Sequence, residues 1–304
     1  MKFKITLISL VIVSSILWIW ITHLPDSNQD YAQFDNPTRI ITTDWTIAET
    51  LLALQAPLVG VGDTKEYATW VSEPVLNDNI VDLGLRSQPN LEVIANLKPT
   101  LLINSTWTQN LIPKNIIPIN LAAIDFYTNE GTSWSHIVQT TEKLAQLVNK
   151  TTQAQILISQ TEKQFTDNIQ RLKKIPKQSY AVVQFIDSHQ LRIYGANSLY
   201  GVVLTKLKLD NAWQHSTNAW GFSQISLIDL TTLPKNTSLI IVKPYPANVN
   251  QQLEKNSLWQ KLPFSQQGNY YILPSVWGFG ALPSMQRFSY SLTNALTKQT
   301  VNTW

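Results

Sequence analysis

The sequence has 304 residues, of which 14% are charged, with a formal net charge of +3 and no cysteine. The length suits one large domain or two of medium size, each able to bury a core. Thin, scattered charge with no basic run of five residues argues against a nucleic-acid partner, and the missing cysteine excludes disulfides, thiolate nucleophiles, Cys-ligated metals and a lipoprotein-type anchor.

Lys2 and Lys4 precede an apolar stretch, Ile5–Thr22, broken only by Ser and Thr. A signal peptide has a shorter apolar core and a small-residue cleavage site, whereas this run is just long enough to span a bilayer. Export is expected, with residues 1–22 read as a cleaved signal peptide or a retained membrane anchor and residues 23–37 as a tether. From Pro37 onward short apolar strands alternate with helices. Strands are predicted at Arg39–Thr43, Leu58–Val61, Thr100–Asn104 and Ile116–Ile119, with a helix at Ile47–Leu54. Thr152 and Gln155 fit a capping box, and Ile158, Phe165, Ile169 and Leu172 recur at helical spacing before Pro176, so a long helix is predicted over 150–176. The strand rhythm resumes at Tyr180–Ile186, Leu191–Tyr194, Ser238–Val242 and Tyr270–Leu273. The fold class is therefore α/β, with mainly parallel sheets. It divides into an N-terminal lobe (38–149), a connecting helix and a C-terminal lobe (177–304), with the ligand cleft between the lobes.

Two segments share an order of parts. "SQPNLEVIANLKPTLLI" (87–103) and "SQISLIDLTTLPKNTSLIIV" (223–242) each run Ser-Gln, a capping residue (Asn90 or Ser226), a short helix, a proline and a buried strand. Loops before equivalent units occupy equivalent places. One carries Arg86 and the other Trp220, and open α/β sheets bind ligands outside the carboxyl ends of their strands. Further aromatic residues follow the same logic: Trp45 in "DWTIAE", Trp70 in "EYATWVSEP", Trp107 in "NSTWTQ", and Trp277 with Phe279 in "PSVWGFGALPS". Each is read as lying at a strand exit or helix entrance, converging on an apolar cleft with one fixed cation, whose planar fork suits clustered ligand oxygens. The ordinary alternatives are tryptophans half buried under loops and an arginine in a surface ion pair.

Enzyme signatures are absent: there is no G-x-S-x-G, G-x-x-x-x-G-K, G-x-G-x-x-G or H-E-x-x-H. "GFGAL" lacks the strand and acid of a dinucleotide site. His23, His136, His189 and His215 are dispersed and read as surface residues rather than metal ligands.

With these motifs in hand, the chain resembles the periplasmic ferric hydroxamate siderophore-binding proteins, the substrate-binding components of ABC importers in the clade with a rigid interlobe helix. The resemblance spans about residues 38–300 and is densest at "LLAL", "YATWVSEP", "VDLGLRSQPNLEVIANLKP", "YGANSLYGVVL", "NAWGFSQIS" and "PSVWGFGALPSMQRFSYSLTNAL". It implies two α/β lobes joined by one long helix and no catalysis. The ligand is an iron(III)-siderophore complex, with no cofactor and no protein ligand to the metal. It implies that Arg86 contacts the hydroxamate oxygens and that Trp45, Trp70, Trp220 and Trp277, with Ser223, line the ligand. A family tyrosine near position 107 is missing, leaving Trp107 or Thr108 in its place, and a second tyrosine is matched by Phe279. Glu92, in the family's Asn-Leu-Glu position, is implied to dock onto an inner-membrane ABC permease with its ATPase; Asp229 follows from the internal repeat. A monomeric protein in the periplasm, tethered to the inner membrane if residues 1–22 are retained, completes the expectation. Rival readings are cobalamin, haem or a catecholate siderophore on the same scaffold, and an α/β hydrolase using Ser72 or Ser198. Catecholates would want several cations in the cleft.

Overall fold

The computed structural model describes residues 38–113 and 119–298. The expected targeting segment, the tether, His23 and most of the strand expected at Ile116–Ile119 lie outside those residues. In chain order the elements are β1 (Ile40–Thr42), α1 (Trp45–Ala53), β2 (Leu58–Val61), α2 (Thr64–Trp70), β3 (Val81–Asp82), β4 (Gly84–Leu85), β5 (Gln88–Pro89), α3 (Leu91–Leu97), β6 (Leu101–Asn104), β7 (Asn120–Ala123), α4 (Trp134–Leu147), α5 (Thr151–Leu172), β8 (Ser179–Phe185), β9 (Gln190–Tyr194), α6 (Leu199–Lys206), β10 (Asp210–Asn211), β11 (Phe222–Ser226), β12 (Thr237–Val242), α7 (Val249–Glu254), α8 (Ser257–Lys261), α9 (Pro263–Gln266), β13 (Tyr270–Leu273) and α10 (Leu282–Lys298).

Two α/β lobes result. The first sheet runs β3-β2-β1-β6-β7, all parallel. The second runs β11-β9-β8-β12-β13, with β10 pairing β8; β12 and β13 are parallel to β8, whereas β9 is antiparallel to both β8 and β11. Every residue of β1, β6 and β12 is buried, as expected for sheet interiors covered on both faces. Alternation then divides the side chains. Ile40, Ile103, Val182 and Ile240 enter one core that runs through both lobes, while Ile41 and Leu102, or Val183 and Ile241, fill a smaller core behind each sheet. A core shared across the lobes resists hinge motion, because packed interiors are not continuously deformable.

In the passage from the first sheet to the second, a shorter helix, α4, precedes the long interlobe helix α5. α4 starts at Trp134, behind Ser133, whose hydroxyl caps it by accepting from His136 N, and α5 follows. The 22-residue α5 spans about 33 Å. It starts at Thr151 behind Lys150, which makes no side-chain cap bond, so the capping box expected at Thr152 and Gln155 does not form. Its core face is Ala154, Leu157, Thr161, Phe165, Asn168 and Leu172; Ile158 and Ile169 are only half buried. A polar ladder fastens α5 to α10. Gln164 Nε2 donates to Gln286 O at 2.6 Å and to Ser289 Oγ at 2.9 Å, and Gln286 Nε2 donates to Thr161 Oγ1 at 2.9 Å. The strand sought near Ile116–Ile119 is β7, at Asn120–Ala123, and the helix expected in the second repeat is a 3-10 turn at Leu227–Thr232.

Candidate functional site

The site grows from the exit of β1. Asp44 caps α1 by accepting from Thr46 N and Ile47 N, so the helix begins at Trp45, right behind the strand. Buried Asn104, at the end of β6, pins this junction: its Oδ1 accepts from Thr43 N at 2.9 Å and its Nδ2 donates to Thr43 Oγ1 at 3.0 Å. That fixes the carbonyl of Thr43, which accepts from Arg86 Nε at 3.0 Å. Arg86 itself is at the tip of the β4–β5 hairpin, after Gly84, whose φ of +82° turns the chain. Its guanidinium carbon lies 4.0 Å from the centre of the Trp45 ring and 5.6 Å from that of Trp277. Burial lowers the Arg86 pKa, and the carboxylates of Asp44 and Asp63 pull it back up. Among the described residues no carboxylate ion-pairs with Arg86, so its terminal amino groups remain available to a ligand.

Trp45 donates from Nε1 to Gly62 O at 2.8 Å, and Trp277 from Nε1 to Thr46 Oγ1 at 3.2 Å, whose hydroxyl in turn donates to Phe279 O at 2.7 Å. The segment 277–281 belongs to the second lobe yet is held by α1 of the first. Glu49, fully buried, secures it further: Ala281 N donates to Oε1 and Ser284 Oγ to Oε2, each at 2.6 Å. Burial pushes the Glu49 carboxyl up to about 8, against these hydrogen bonds.

Rings continue the surface from this floor. Trp277 lies 5.1 Å from Trp45, 6.4 Å from Trp70 and 5.0 Å from Phe279; Trp220 lies 5.5 Å from Phe279, 5.9 Å from Tyr127 and 5.9 Å from Trp107. Trp45 and Trp277 are 4% and 8% exposed, whereas Trp220 and Trp107 are 37% and 57% exposed. The first pair therefore forms a rigid floor and the second an open rim. Arg86 and Trp220 are linked by a chain of contacts through Trp277 and Phe279.

Several expected placements differ. Trp70 ends α2 instead of standing at a strand exit, with Nε1 donating to Glu66 Oε2 one turn earlier. Trp220 precedes β11, at a strand entrance. Of the two replacements for the missing tyrosine, Trp107 reaches the aromatic cluster, while Thr108 Oγ1 lies 3.0 Å from Ser105 Oγ, a step behind it. Ser223 Oγ donates to Ser216 O within its own loop; its neighbour Phe222 is the residue against Phe279, at 6.0 Å. His136 is half buried with Nε2 2.9 Å from Asp125 O, while His189 and His215 are exposed. Ser198 is buried and caps α6 through Gly201 N, and Ser72 Oγ accepts from Arg287 Nη2 at 3.4 Å, so neither serine meets a histidine among the described residues. Among those residues no group of three His, Cys, Asp or Glu could hold a metal ion.

Glu92 is exposed in the first turn of α3, where Asn90 caps Glu92 N and Val93 N. Asp229 is committed locally. Its Oδ2 accepts from Ser226 N and Ser226 Oγ, bonds that lower its pKa and close a capping box.

Two site residues escaped the sequence reading. Tyr127 is buried between Trp220 and Phe279, with its hydroxyl donating to Gly280 O at 3.1 Å; it follows β7, and misplacing that strand hid it. Arg192 overturns the expectation of a single cation. It stands between Leu191 and Ile193 on β9, with its guanidinium carbon 5.1 Å from the Phe222 ring and 5.9 Å from that of Phe279. Strict alternation in "QLRIY" was the available signal.

Comparison with known proteins bears on the family and the fold. A family model described as periplasmic binding protein matches residues 40–276. The iron(3+)-hydroxamate-binding protein FhuD of Escherichia coli (strain K12) is 30% identical over 295 residues, 95% of each chain. The probable siderophore-binding lipoprotein YfiY of Bacillus subtilis (strain 168) is 26% identical over 260 residues, 79% of this chain and 76% of its own. The crystal structure of the siderophore-binding protein FhuD from Vibrio cholerae, with Fe3+–Desferal bound, superposes with a TM-score of 0.81 at 23% identity, covering 88% of this chain and 99% of that one.

Proposed function

This chain belongs to the periplasmic binding protein family, and we propose that it captures Fe(III)-hydroxamate siderophores in the aromatic cleft and delivers them to an inner-membrane ABC importer. The observation that carries the reading is the Arg86 guanidinium: stacked on Trp45, held at Nε by Thr43, with its terminal amino groups free for ligand oxygens. A cation over a ring, already partly desolvated, grips clustered oxygens more strongly than one in water. The iron remains inside its chelate, so the protein needs no metal ligand and performs no chemistry on the cargo. Trp45 and Trp277 form the floor, Trp70 and Phe279 the walls, and Trp107 and Trp220 the rim.

Binding relies on a preformed site. Thr46, Glu49 and the α5–α10 ladder tie the lobes together, so little ordering entropy opposes association. Glu92, exposed at the start of α3, offers a carboxylate to a basic pocket on the permease, and Asp229 a weaker second contact. Similarity to E. coli FhuD, whose name specifies hydroxamate, supports the ligand class.

The test is a titration of the purified protein with iron-loaded and iron-free ferrichrome, followed by tryptophan quenching. The loaded form binds the wild type, and Arg86→Ala weakens it at least about tenfold, roughly 1.4 kcal/mol, with the thermal transition unchanged. Unaltered affinity in a folded Arg86→Ala variant would sink the reading.

A further inference from the structure

The rim of the cleft has a fastening of its own. The segment "YGANS" joins β9 to α6, and its Asn197 is part of neither floor nor wall. Asn197 is half buried and bonds to both lobes. Its Nδ2 donates to Glu130 O at 2.8 Å, and its backbone carbonyl accepts from Thr132 N at 2.9 Å, both on the turn that follows β7. Its Oδ1 accepts from Thr217 Oγ1, in the loop that leads to β11. The amide has one orientation, because the Glu130 carbonyl can only accept. Gly131, with φ of +92°, permits this approach: a methyl there would collide with the Asn197 carbonyl.

Each segment held by Asn197 carries a ring of the cleft. On the first lobe Thr132 Oγ1 donates to Phe126 O at 2.9 Å, which closes the turn behind Tyr127. On the second lobe Asn218, next to Thr217, accepts at Oδ1 from Trp220 N at 2.9 Å and from Phe222 N at 3.2 Å. The rings of Tyr127 and Trp220 lie 5.9 Å apart across the lobes. Trp220 is far more exposed than Trp45 or Trp277, so burial fixes it less and the bonds of its loop fix it more. We infer that Asn197 is a positioning residue for the binding site: it sets Trp220 against Tyr127 before the ligand arrives and thereby governs how long the ligand is retained. Without this bridge the Trp220 loop must be ordered at each binding event, a cost that appears mainly in the rate of release.

This deepens the siderophore-binding reading and rests on it. Ferrichrome release, followed by stopped-flow tryptophan fluorescence, should be about fivefold faster in Asn197→Ala, with association within about twofold of wild type. Thr217→Val, which removes only the bond to the Trp220 loop, should show the same kind of loss. The double variant should release no faster than Asn197→Ala alone, since both changes act through one bond. In a Trp220→Ala background, Asn197→Ala should have no further effect on release. Additive losses, or a full effect of Asn197→Ala without Trp220, would overturn the positioning role. A readout without ligand keeps this inference apart from the siderophore reading. Amide exchange of residues 217–222 in the unliganded protein should quicken at least about tenfold in Asn197→Ala, and unchanged exchange would also overturn the role. If the wild type does not bind ferrichrome while exchange quickens as expected, the siderophore reading fails and the retaining role with it, although the bridge between the lobes stands.

Discussion

Strands β2, β1, β6 and β7 of the first sheet stand in the same order as β9, β8, β12 and β13 of the second. The first set is wholly parallel, so each strand exit opens on one edge: Thr43 and Trp45 after β1, Gly62 after β2, Asn104 and Ser105 at the end of β6 and Tyr127 beyond β7. In the second sheet β9 runs antiparallel. It presents Arg192 from mid-strand, and the antiparallel partner β11 presents Trp220 from its start. The rule that ligands gather at carboxyl ends of parallel strands thus accounts for the first lobe's contribution and for only part of the second's. The first lobe supplies a cation with a rigid bed, and the second supplies the rim and the cleft wall.

The largest effect that sharpens this contrast concerns two turn glycines. Gly84 (φ +82°) precedes Arg86, and Gly221 (φ +77°) follows Trp220. A methyl added at Gly221 would lie 2.5 Å from Ser198 Cα and 2.7 Å from Ser198 N, which is backbone, whereas at Gly84 the nearest atom is 3.3 Å away. Gly221→Ala should cost about 2–4 kcal/mol, from left-handed strain plus overpacking, and Gly84→Ala about 1–2 kcal/mol from strain alone. Thermal unfolding of both variants reads the difference, and a larger loss at Gly84 would contradict it.

The next prediction tests the clamp between lobes. In the folded protein Glu49 binds its proton up to about pH 8, against an ordinary value of 4.5. Between those limits the native state holds more protons than the unfolded chain, so stability is greatest below pH 4.5 and falls as pH rises towards 8. The slope from this group is at most about 1.4 kcal/mol per pH unit. Glu49→Gln keeps an acceptor for Ala281 N, presents an amide N–H to Ser284 Oγ, which then accepts where it had donated, and does not titrate. Its melting temperature should vary less with pH than that of wild type between pH 5 and 8, and parallel profiles would refute the assignment.

The smallest effect separates the two surface acids. Asp229→Ala removes the acceptor of Ser226 N and Ser226 Oγ, the N3 half of the capping box of the Leu227–Thr232 turn, and should cost about 1 kcal/mol. Glu92→Ala removes no cap, since Asn90 performs that role, and should change stability by less than about 0.5 kcal/mol. Denaturant midpoints decide between them. Importer-coupled uptake should fall in Glu92→Ala despite its intact stability.

The sequence by itself determined the α/β class, most strand positions, a long helix within 150–176 and the place of Arg86 in a loop just ahead of a capped helix, because these depend on local periodicity, turn residues and caps within a few positions of each other. Asn90 as a helix cap was readable for the same reason. It could not show that Trp45 and Trp277 share a floor, that Glu49 of α1 holds the start of α10 across 232 residues, or that Arg192 is a second cation beside Phe279. Those facts depend on strand direction and on packing between lobes. Strand direction in turn follows from which connection returns to the sheet, a choice that alternating apolar residues leave undetermined because they look alike in parallel and antiparallel neighbours.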